Sequence, residues 1–169
     1  MKYVLLLVFT FGLIPMVNAQ DSSPSEITTY YFIRHAEKDT SDSSNRNPHL
    51  TKEGQSRAVK WSTVLSNIKL DAVYSTNYHR TIETAQPSAS KNNLEITTYD
   101  PFKMDKKAFI ENTKGKTVLV VGHSNTTPMF ANTIIGEEVY KQLDESNYTS
   151  LFIVTVTNGV ASHQLLTIE

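Results

Sequence analysis

Hydrophobic residues occur along the chain in short runs of two kinds, and the two kinds alternate. Continuous apolar or β-branched runs predict strands, because a strand that is covered on both faces is apolar throughout. Four such runs cover residues 27–33, 70–74, 94–98 and 117–121. Between them, apolar residues recur at the spacing of a helix with one buried face, as at Ala58, Trp61, Leu65 and Ile68. The predicted helices cover residues 51–68, 77–90, 105–112 and 127–136.

Residues with known preferences for helix ends support these boundaries. Thr51 is a suitable N-cap for the first helix. Thr127 followed by Pro128 predicts an N-cap with proline at the first helical position of the last helix. Gly136 is a typical residue for ending that helix.

The last part of the chain predicts a β-hairpin. Residues 151–157 and 160–168 are rich in strand-forming residues, and Asn158-Gly159 between them is a strong signal for a tight turn. The alternation of strands and helices before the hairpin favours a mostly parallel sheet with helices on both faces. We therefore expect an α/β fold, a three-layer α/β/α sandwich with a mostly parallel central sheet and a C-terminal antiparallel hairpin. Residues 20–169 are expected to form a single domain.

The first 19 residues are typical of a secretory signal peptide. Lys2 precedes an apolar run at residues 4–14, and the segment ends in Val17-Asn18-Ala19. The run is shorter than the ~20 residues that span a membrane, which disfavours the alternative of a permanent anchor. We expect cleavage after Ala19 and export to the periplasm or the medium, without stable membrane insertion of the mature protein.

Composition excludes several classes of function. The formal net charge is −1 and the sequence has no long run of one sign, which argues against nucleic acid as the main partner. Because the chain has no cysteine, disulfides and thiolate metal sites are excluded. Neither observation predicts an oligomeric state.

Arginine and histidine residues follow three of the predicted strands. Arg34-His35 ends the first strand, Arg80 follows the second, and His123 with Ser124 follows the fourth. Ligands of parallel α/β sheets bind beyond the carboxyl ends of the strands, so these side chains are expected to converge. Arginine suits phosphate, Ser124 adds a donor at a helix start, and a neutral imidazole can act as a nucleophile. Each residue alone could be structural, but together they predict a phosphate-sized site with His35 as nucleophile.

Four segments resemble, in order, the motifs of the histidine phosphatase superfamily, whose fold is also called phosphoglycerate mutase-like. Arg34-His35-Ala36-Glu37 resembles the Arg-His-Gly-Glu signature of that family. The three other similar segments are residues 50–58, residues 74–85, which include Arg80, and residues 120–124, which include His123. The ordered set covers nearly all of the chain after the predicted signal peptide.

The resemblance implies a phosphatase that hydrolyses a phosphate monoester through a transient phosphohistidine on His35. Arg34, Arg80 and a protonated His123 would complete the family's phosphate pocket, without a metal ion or another cofactor. A hydrogen bond from the other ring nitrogen of His35 to a backbone carbonyl would fix its tautomer. The expected partners are a small phosphorylated substrate and phosphate.

Two features depart from the family pattern. Ala36 replaces the usual glycine, which is harmless unless that position needs a positive φ or a close approach to the ligand. The acid that protonates the leaving group is also open. Asp100 lies after the third predicted strand and is the positional candidate, while Glu37 is the alternative because it is close to the nucleophile. Asp100 could instead stabilise the turn before Pro101.

Other activities remain compatible with the sequence. A phosphate or phospho-ligand binding domain without turnover would retain Arg34 and Arg80 but would not need His35 as nucleophile. A mutase is disfavoured because the segment between residues 94 and 118 is short, and a phosphohistidine phosphatase also suits a small domain. Metal-dependent hydrolysis is disfavoured because His35 and His123 lack a carboxylate–histidine cluster at helical spacing.

Overall fold

Strand β1 (Ile27–Arg34) lies inside a six-stranded sheet in the computed structural model, which describes residues 26–169. The other strands are β2 (Ala72–Thr76), β3 (Ile96–Tyr99), β4 (Thr117–Gly122), β5 (Ser150–Thr157) and β6 (Val160–Thr167). The helices are α1 (Lys52–Val64), α2 (His79–Lys91), α3 (Lys106–Asn112) and α4 (Thr126–Ile135). The predicted signal peptide lies outside the described residues.

The strands follow the order β3-β2-β4-β1-β5-β6. Strands β1 to β4 run parallel, β5 is antiparallel to β1, and β6 is antiparallel to β5. In the register of β1 and β4, Arg34 lies opposite Gly122, and the N–H of His35 donates to the Gly122 carbonyl at 2.9 Å. His35 and His123 therefore leave the sheet at the same level on neighbouring strands. The predicted fold class is confirmed.

Side chains of the central strands alternate between two hydrophobic cores. Tyr30 and Phe32 of β1 face the core that contains aromatic residues of α3 and α4, whereas Ile33 faces the core formed with α1 and α2. Burying a side chain of this size stabilises the fold by about 1.5–3 kcal/mol. Because both faces are covered, the position of each strand end is fixed by packing on two sides.

The predicted boundaries of two elements need correction. Helix α1 is capped by Thr51 as predicted but ends at Val64, and Leu65 packs on the core from the turn that follows. Helix α4 begins at Thr126 with Asn125 as N-cap, so the prediction of Thr127 as N-cap was wrong. Pro128 is then the third helical residue, where its missing N–H would also lack a partner within the helix.

The remaining predicted bounds differ by one or two residues at either end. The second predicted strand, 70–74, lies at Ala72–Thr76, because Leu70 reaches the core from the preceding loop. The hairpin turn is as predicted: Asn158 and Gly159 have φ values of 51° and 81°, the pattern of a type I′ turn. No helix in the described part of the chain combines the length and apolar character that crossing a membrane requires.

Candidate active site

The side chains predicted to form the site converge at the carboxyl ends of the parallel strands. His35 follows β1, His123 follows β4, and their ring centroids are 5.4 Å apart. Arg80, in the first turn of α2, places its Nη2 3.4 Å from Nδ1 of His123. Arg34 lies next to His35 and is positioned by the same strand. Three separate segments thus contribute cationic or imidazole groups to one small region.

A backbone hydrogen bond orients His35. Its Nδ1 lies 2.7 Å from the carbonyl oxygen of Ala36, which can only accept, so Nδ1 carries the proton. Burial lowers the pKa of His35 to about 3, against the opposing effect of this bond, and the charges of Arg34, His123 and Arg80 lower it further. The imidazole is neutral near pH 7, and Nε2 is left with a lone pair.

The imidazole of His123 is also neutral near pH 7. Burial lowers its pKa to about 4, with Arg80, Arg34 and Lys38 contributing and Glu145 opposing. Burial and the neighbouring cations thus favour the neutral imidazole, and the protonated His123 that the resemblance implies stays a prediction for the phosphate-bound site.

Hydrogen bonds indicate which nitrogen of His123 carries the proton. Thr76 donates its hydroxyl proton to Thr81 at 3.0 Å, so at His123 Nε2, also 3.0 Å away, Thr76 can only accept. Nε2 then carries the proton, and Nδ1 accepts from Arg80. This unprotonated Nδ1 is the atom at which His123 can take up a proton when an anion binds.

A loop near the C-terminal hairpin holds the guanidinium of Arg34. Nη1 donates to the backbone carbonyls of Asp144, Glu145 and Asn147 at 2.9, 2.9 and 3.1 Å. The ring of Tyr148 covers the guanidinium, with Cζ 4.4 Å from the ring centroid. These contacts fix the plane of Arg34, whose Nη2 donates to the Glu145 carboxylate.

The Nε groups of Arg34 and Arg80 are buried and have no hydrogen-bond acceptor among the described residues. Arg80 otherwise stacks on Tyr78, with Cζ 4.5 Å from the ring centroid, and its Nη1 reaches the Arg46 carbonyl at 3.5 Å. Buried charged donors without acceptors are costly, and a bound anion would relieve that cost.

The carboxylate of Glu145 contacts two of the predicted phosphate ligands. One oxygen accepts from Nη2 of Arg34 at 2.8 Å, and the other accepts from the Ser124 hydroxyl at 2.7 Å. The bond from Ser124 is the main cause that lowers the pKa of Glu145, and Arg34 and Lys38 add to it. The residue is therefore a carboxylate near pH 7 that uses donors a phosphate would need.

Asp100 lies on the wall of a neighbouring cavity of about 440 Å³. The cavity is also lined by Arg80 and His123, whereas Arg34 and His35 do not line it. One oxygen of Asp100 accepts from the N–H of Phe102 at 2.9 Å, which is the turn-stabilising contact considered from the sequence. The other oxygen lies 3.8 Å from Nζ of Lys103. Asp100 is thus close to the site and has one oxygen without a close partner among the described residues.

Glu37 is engaged in the scaffold behind the site. Its carboxylate forms an ion pair with Arg57 of α1 at 2.6 Å, and its backbone carbonyl accepts from the N–H of Thr51 at 2.9 Å. Gly54 packs directly on the same carbonyl, since a Cβ there would lie 2.2 Å from it. Glu37 therefore connects the loop after β1 to α1. Its second carboxylate oxygen is buried without a hydrogen-bond partner among the described residues, but only Asp100 lines the cavity shared with Arg80 and His123.

Ala36 fits its position. It does not have a positive φ, and its buried methyl group packs in a small cluster with Leu50 and Ala58. Its N–H donates at 2.9 Å to the hydroxyl of Thr84, which itself donates at 2.6 Å to the Arg80 carbonyl. The replacement of glycine by alanine is tolerated, and Thr84 connects the loop of His35 to the helix of Arg80.

Several residues of this region were not predicted from the sequence. Thr76 is the last residue of β2 and Tyr78 is the N-cap of α2, so their position just before Arg80 in the chain was a usable signal. Glu145 and Tyr148 lie in a polar segment without periodicity, and no signal in the sequence connects that segment to Arg34.

Comparisons with known proteins agree with this architecture. Residues 30–103 match the histidine phosphatase superfamily (branch 1), and this range includes Arg34, His35, Arg80 and Asp100. The comparison with curated proteins gave no match.

Three solved structures illustrate the similarity in fold. Mycobacterial glucosyl-3-phosphoglycerate phosphatase superposes with a TM-score of 0.66 at 12% identity, over 84% of this chain and 98% of that one. The protein histidine phosphatase SixA complexed with tungstate gives 0.65 at 14% identity, over 82% and 96%. A phosphoserine phosphatase mutant from Entamoeba histolytica, in complex with phosphoserine, gives 0.61 at 14% identity, over 81% and 95%.

At these identities the superpositions show a shared fold rather than a shared substrate. The first histidine and both arginines lie in elements of that fold, in the order that the sequence motifs predicted. The sequence match places residues 30–103 in the histidine phosphatase superfamily, branch 1, and the fold of the chain agrees with that match.

Proposed function

We propose that this protein is an exported phosphatase that hydrolyses a phosphate monoester through a phosphohistidine on His35, without a metal ion. The observation that carries the proposal is the 2.7 Å hydrogen bond between Nδ1 of His35 and the Ala36 carbonyl. It leaves Nε2 unprotonated in a site that contains two arginines. A domain that only bound phosphate would need the arginines but not an imidazole fixed in this tautomer.

In the first step, the Nε2 lone pair of His35 attacks phosphorus and the bond from phosphorus to the ester oxygen breaks. Arg34, Arg80 and His123 stabilise the charge on the remaining phosphoryl oxygens. Asp100, when protonated, supplies the proton that converts an alkoxide leaving group to an alcohol. The Ala36 carbonyl stabilises the positive imidazole ring that results, because it accepts from Nδ1.

In the second step, water attacks phosphorus and the phosphorus–nitrogen bond breaks, which regenerates His35 and releases phosphate. Asp100, now a carboxylate, takes the proton from the water. The same donors stabilise both transition states, since the charge on the phosphoryl oxygens is similar in each.

Substrate binding requires Glu145 to leave Arg34 and Ser124. Its side chain is 68% exposed, so it can turn into solvent without disturbing packed residues. The phosphoryl group then accepts from Nη2 of Arg34 and from Ser124, and reaches the unpartnered Nε groups of Arg34 and Arg80. Phosphate and Glu145 compete for the same donors in this proposal.

Phosphohistidine in another protein is a second candidate substrate. The segment between β3 and β4, residues 100–116, contains only the short helix α3, so little protein covers the cavity on this side. A substrate attached to a larger molecule could therefore reach the site. The same short segment disfavours a mutase, which must enclose its substrate between two transfers.

The function is tested with the purified protein in the presence of EDTA. We expect hydrolysis of p-nitrophenyl phosphate. With a ³²P-labelled phosphate monoester as substrate, we expect the protein to carry the label after rapid acid-free quenching. Both hydrolysis and labelling should be lost in His35→Ala. His163→Ala is the matched control, because it removes a histidine of β6 that lies outside the site. Turnover that persists in His35→Ala would exclude the mechanism, and phosphate binding without turnover in the wild type would favour the binding domain.

Two further measurements address substrate and location. A panel of sugar phosphates, phosphoserine and phosphohistidine peptides compares the two substrate classes by kcat/KM. Export predicts that protein recovered outside the cytoplasm begins at Gln20, which N-terminal sequencing determines. A chain that retains its first 19 residues would contradict cleavage.

A further inference from the structure

Two imidazoles and a carboxylate meet on the surface at the start of α2. His79 is the first residue of the helix and Glu83 follows one turn later, so both side chains project from the same face. His49 approaches from the loop before α1, and its Nδ1 contacts a carboxylate oxygen of Glu83. One ligand atom from each of the three residues lies within 4.8 Å of the other two. The His49 and His79 rings are stacked, with centroids 4.2 Å apart.

Backbone contacts hold the three groups in place. The second carboxylate oxygen of Glu83 accepts from the N–H of Leu50 at 2.8 Å, which orients the first oxygen toward His49. The N–H of His79 donates to the side chain of Asn47 at 2.8 Å, which attaches the loop to the helix start. Supporting hydrogen bonds of this kind orient metal ligands in proteins.

Two imidazole nitrogens and one carboxylate oxygen form a ligand set that binds zinc-like ions, with water in the remaining position. Ligand atoms around such an ion lie about 3.4 Å apart for bonds of about 2.1 Å in tetrahedral geometry. The ligand atoms lie within 4.8 Å of one another, so the side chains must turn slightly toward an ion. The side chain of His49 is 64% exposed and that of Glu83 32% exposed, which leaves room for such rotation. Magnesium and calcium prefer oxygen ligands and fit poorly.

We propose that His49, His79 and Glu83 bind one divalent transition metal ion of the zinc type. None of the three lines the cavity beside the phosphate site, and the proposed ion takes no part in phosphoryl transfer. Its effect is structural. It joins the loop before α1 to the first turn of α2, in which Arg80 directly follows His79 and contacts the Arg46 carbonyl of the same loop.

The test uses the full chain without an affinity tag, freed of metal by EDTA and dialysis. Zinc is titrated by calorimetry, cobalt is followed by its visible absorption, and the unfolding temperature is measured with and without zinc. We expect one ion per chain and a higher unfolding temperature with zinc. His49→Ala, His79→Ala and Glu83→Gln should each weaken binding at least about tenfold. Glu83→Gln retains an acceptor for Leu50 and therefore separates metal binding from loop anchoring.

His163→Ala is the control, because it has as many histidines as His49→Ala and His79→Ala. Its zinc binding should equal that of the wild type. Absence of saturable binding would overturn the proposal. So would unchanged binding in His49→Ala and His79→Ala, or binding that is lost in His35→Ala instead. The result is independent of the proposed phosphatase activity, which needs no metal and is measured in EDTA.

Discussion

The carboxylate of Glu145 lies 2.8 Å from Nη2 of Arg34, at the end of a guanidinium whose Nη1 is already bound by three backbone carbonyls. In a second contact, Ser124 donates to the other carboxylate oxygen at 2.7 Å. The two oxygens of Glu145 thus occupy donors that two oxygens of the proposed phosphoryl group would use. Glu145 therefore partly neutralises the charge of Arg34.

Replacing this carboxylate with a neutral group should strengthen phosphate binding. In Glu145→Gln the competing charge is removed while the size of the side chain is kept. An ion pair with one exposed partner contributes about 1 kcal/mol at most, so the dissociation constant of phosphate should fall by roughly fivefold. Isothermal titration with phosphate measures the change, and Glu137→Gln is the control for loss of one acidic residue outside the site. Weaker binding in Glu145→Gln would instead assign Glu145 to orienting Arg34.

The two site histidines should remain neutral at a pH where ordinary histidines are charged. Their pKa values are lowered to about 3 and about 4, chiefly by burial, so their ring proton resonances should not shift between pH 8 and pH 5. Nuclear magnetic resonance measures this, and spectra of His35→Asn and His123→Asn assign the signals. A midpoint near pH 6.5 for either residue would contradict the buried, neutral state.

The same pKa shifts predict how stability depends on pH. In the unfolded chain these histidines bind protons as the pH falls through about 6.5, whereas in the folded chain they do so only near 3 and 4. The free energy of unfolding should therefore fall as the pH is lowered below 6.5. Urea unfolding at pH 7.5 and pH 5 should show a smaller loss in His35→Asn than in the wild type. An equal loss in both would indicate that other groups govern the dependence.

Asp100 should matter most for leaving groups that need a proton. Asp100→Asn is expected to lower kcat by about 100-fold for alkyl phosphates and far less for p-nitrophenyl phosphate, whose leaving group is stable as an anion. Asp105→Asn is the matched control, because Asp105 caps α3 and asparagine also serves as an N-cap. Equal losses on both substrate types would exclude Asp100 as the acid.

Gly54 should be intolerant of a methyl group although it lies in a helix. Glycine to alanine in a helix ordinarily stabilises by about 1 kcal/mol, but here the new Cβ would lie 2.2 Å from the Glu37 carbonyl. The collision is with backbone, so Gly54→Ala should destabilise by about 2 kcal/mol and lower activity by moving the loop after His35. Thermal unfolding and kcat are the measurements, with Ser56→Ala on the exposed face of α1 as control. Stabilisation by Gly54→Ala would contradict this packing.

The sequence predicted the strands, the hairpin turn and the fold class because each depends on local pattern. The sequence also allowed prediction of four site residues, because each lies at the end of a strand, directly after one, or in the helical turn that follows. They are Arg34, His35, Arg80 and His123. The start of α4 was mispredicted because Thr127 followed by Pro128 has the pattern of an N-cap and a first helical residue, whereas the helix begins at Thr126.

The surroundings of Arg34 could not be predicted in the same way. Its carbonyl partners lie more than 100 residues later in the chain, in a loop shaped by its own polar contacts, such as the 2.8 Å bond from the Ser146 N–H to Asp144. For the cluster of His49, His79 and Glu83, the sequence contains a partial signal, since His79 and Glu83 have the spacing of neighbours on one helix face. Its third member depends on how a long polar loop returns to the helix.

The pairing of Arg34 with Gly122 limits how this chain can change in length. Inserting or deleting one residue within β1 or β4 would displace one histidine by about 3.3 Å relative to the other and turn it to the opposite face of the sheet. The exposed loop at residues 39–45 carries no such restriction. Proteins that evolve from this one should therefore differ in the lengths of their loops, while β1 and β4 keep the same number of residues.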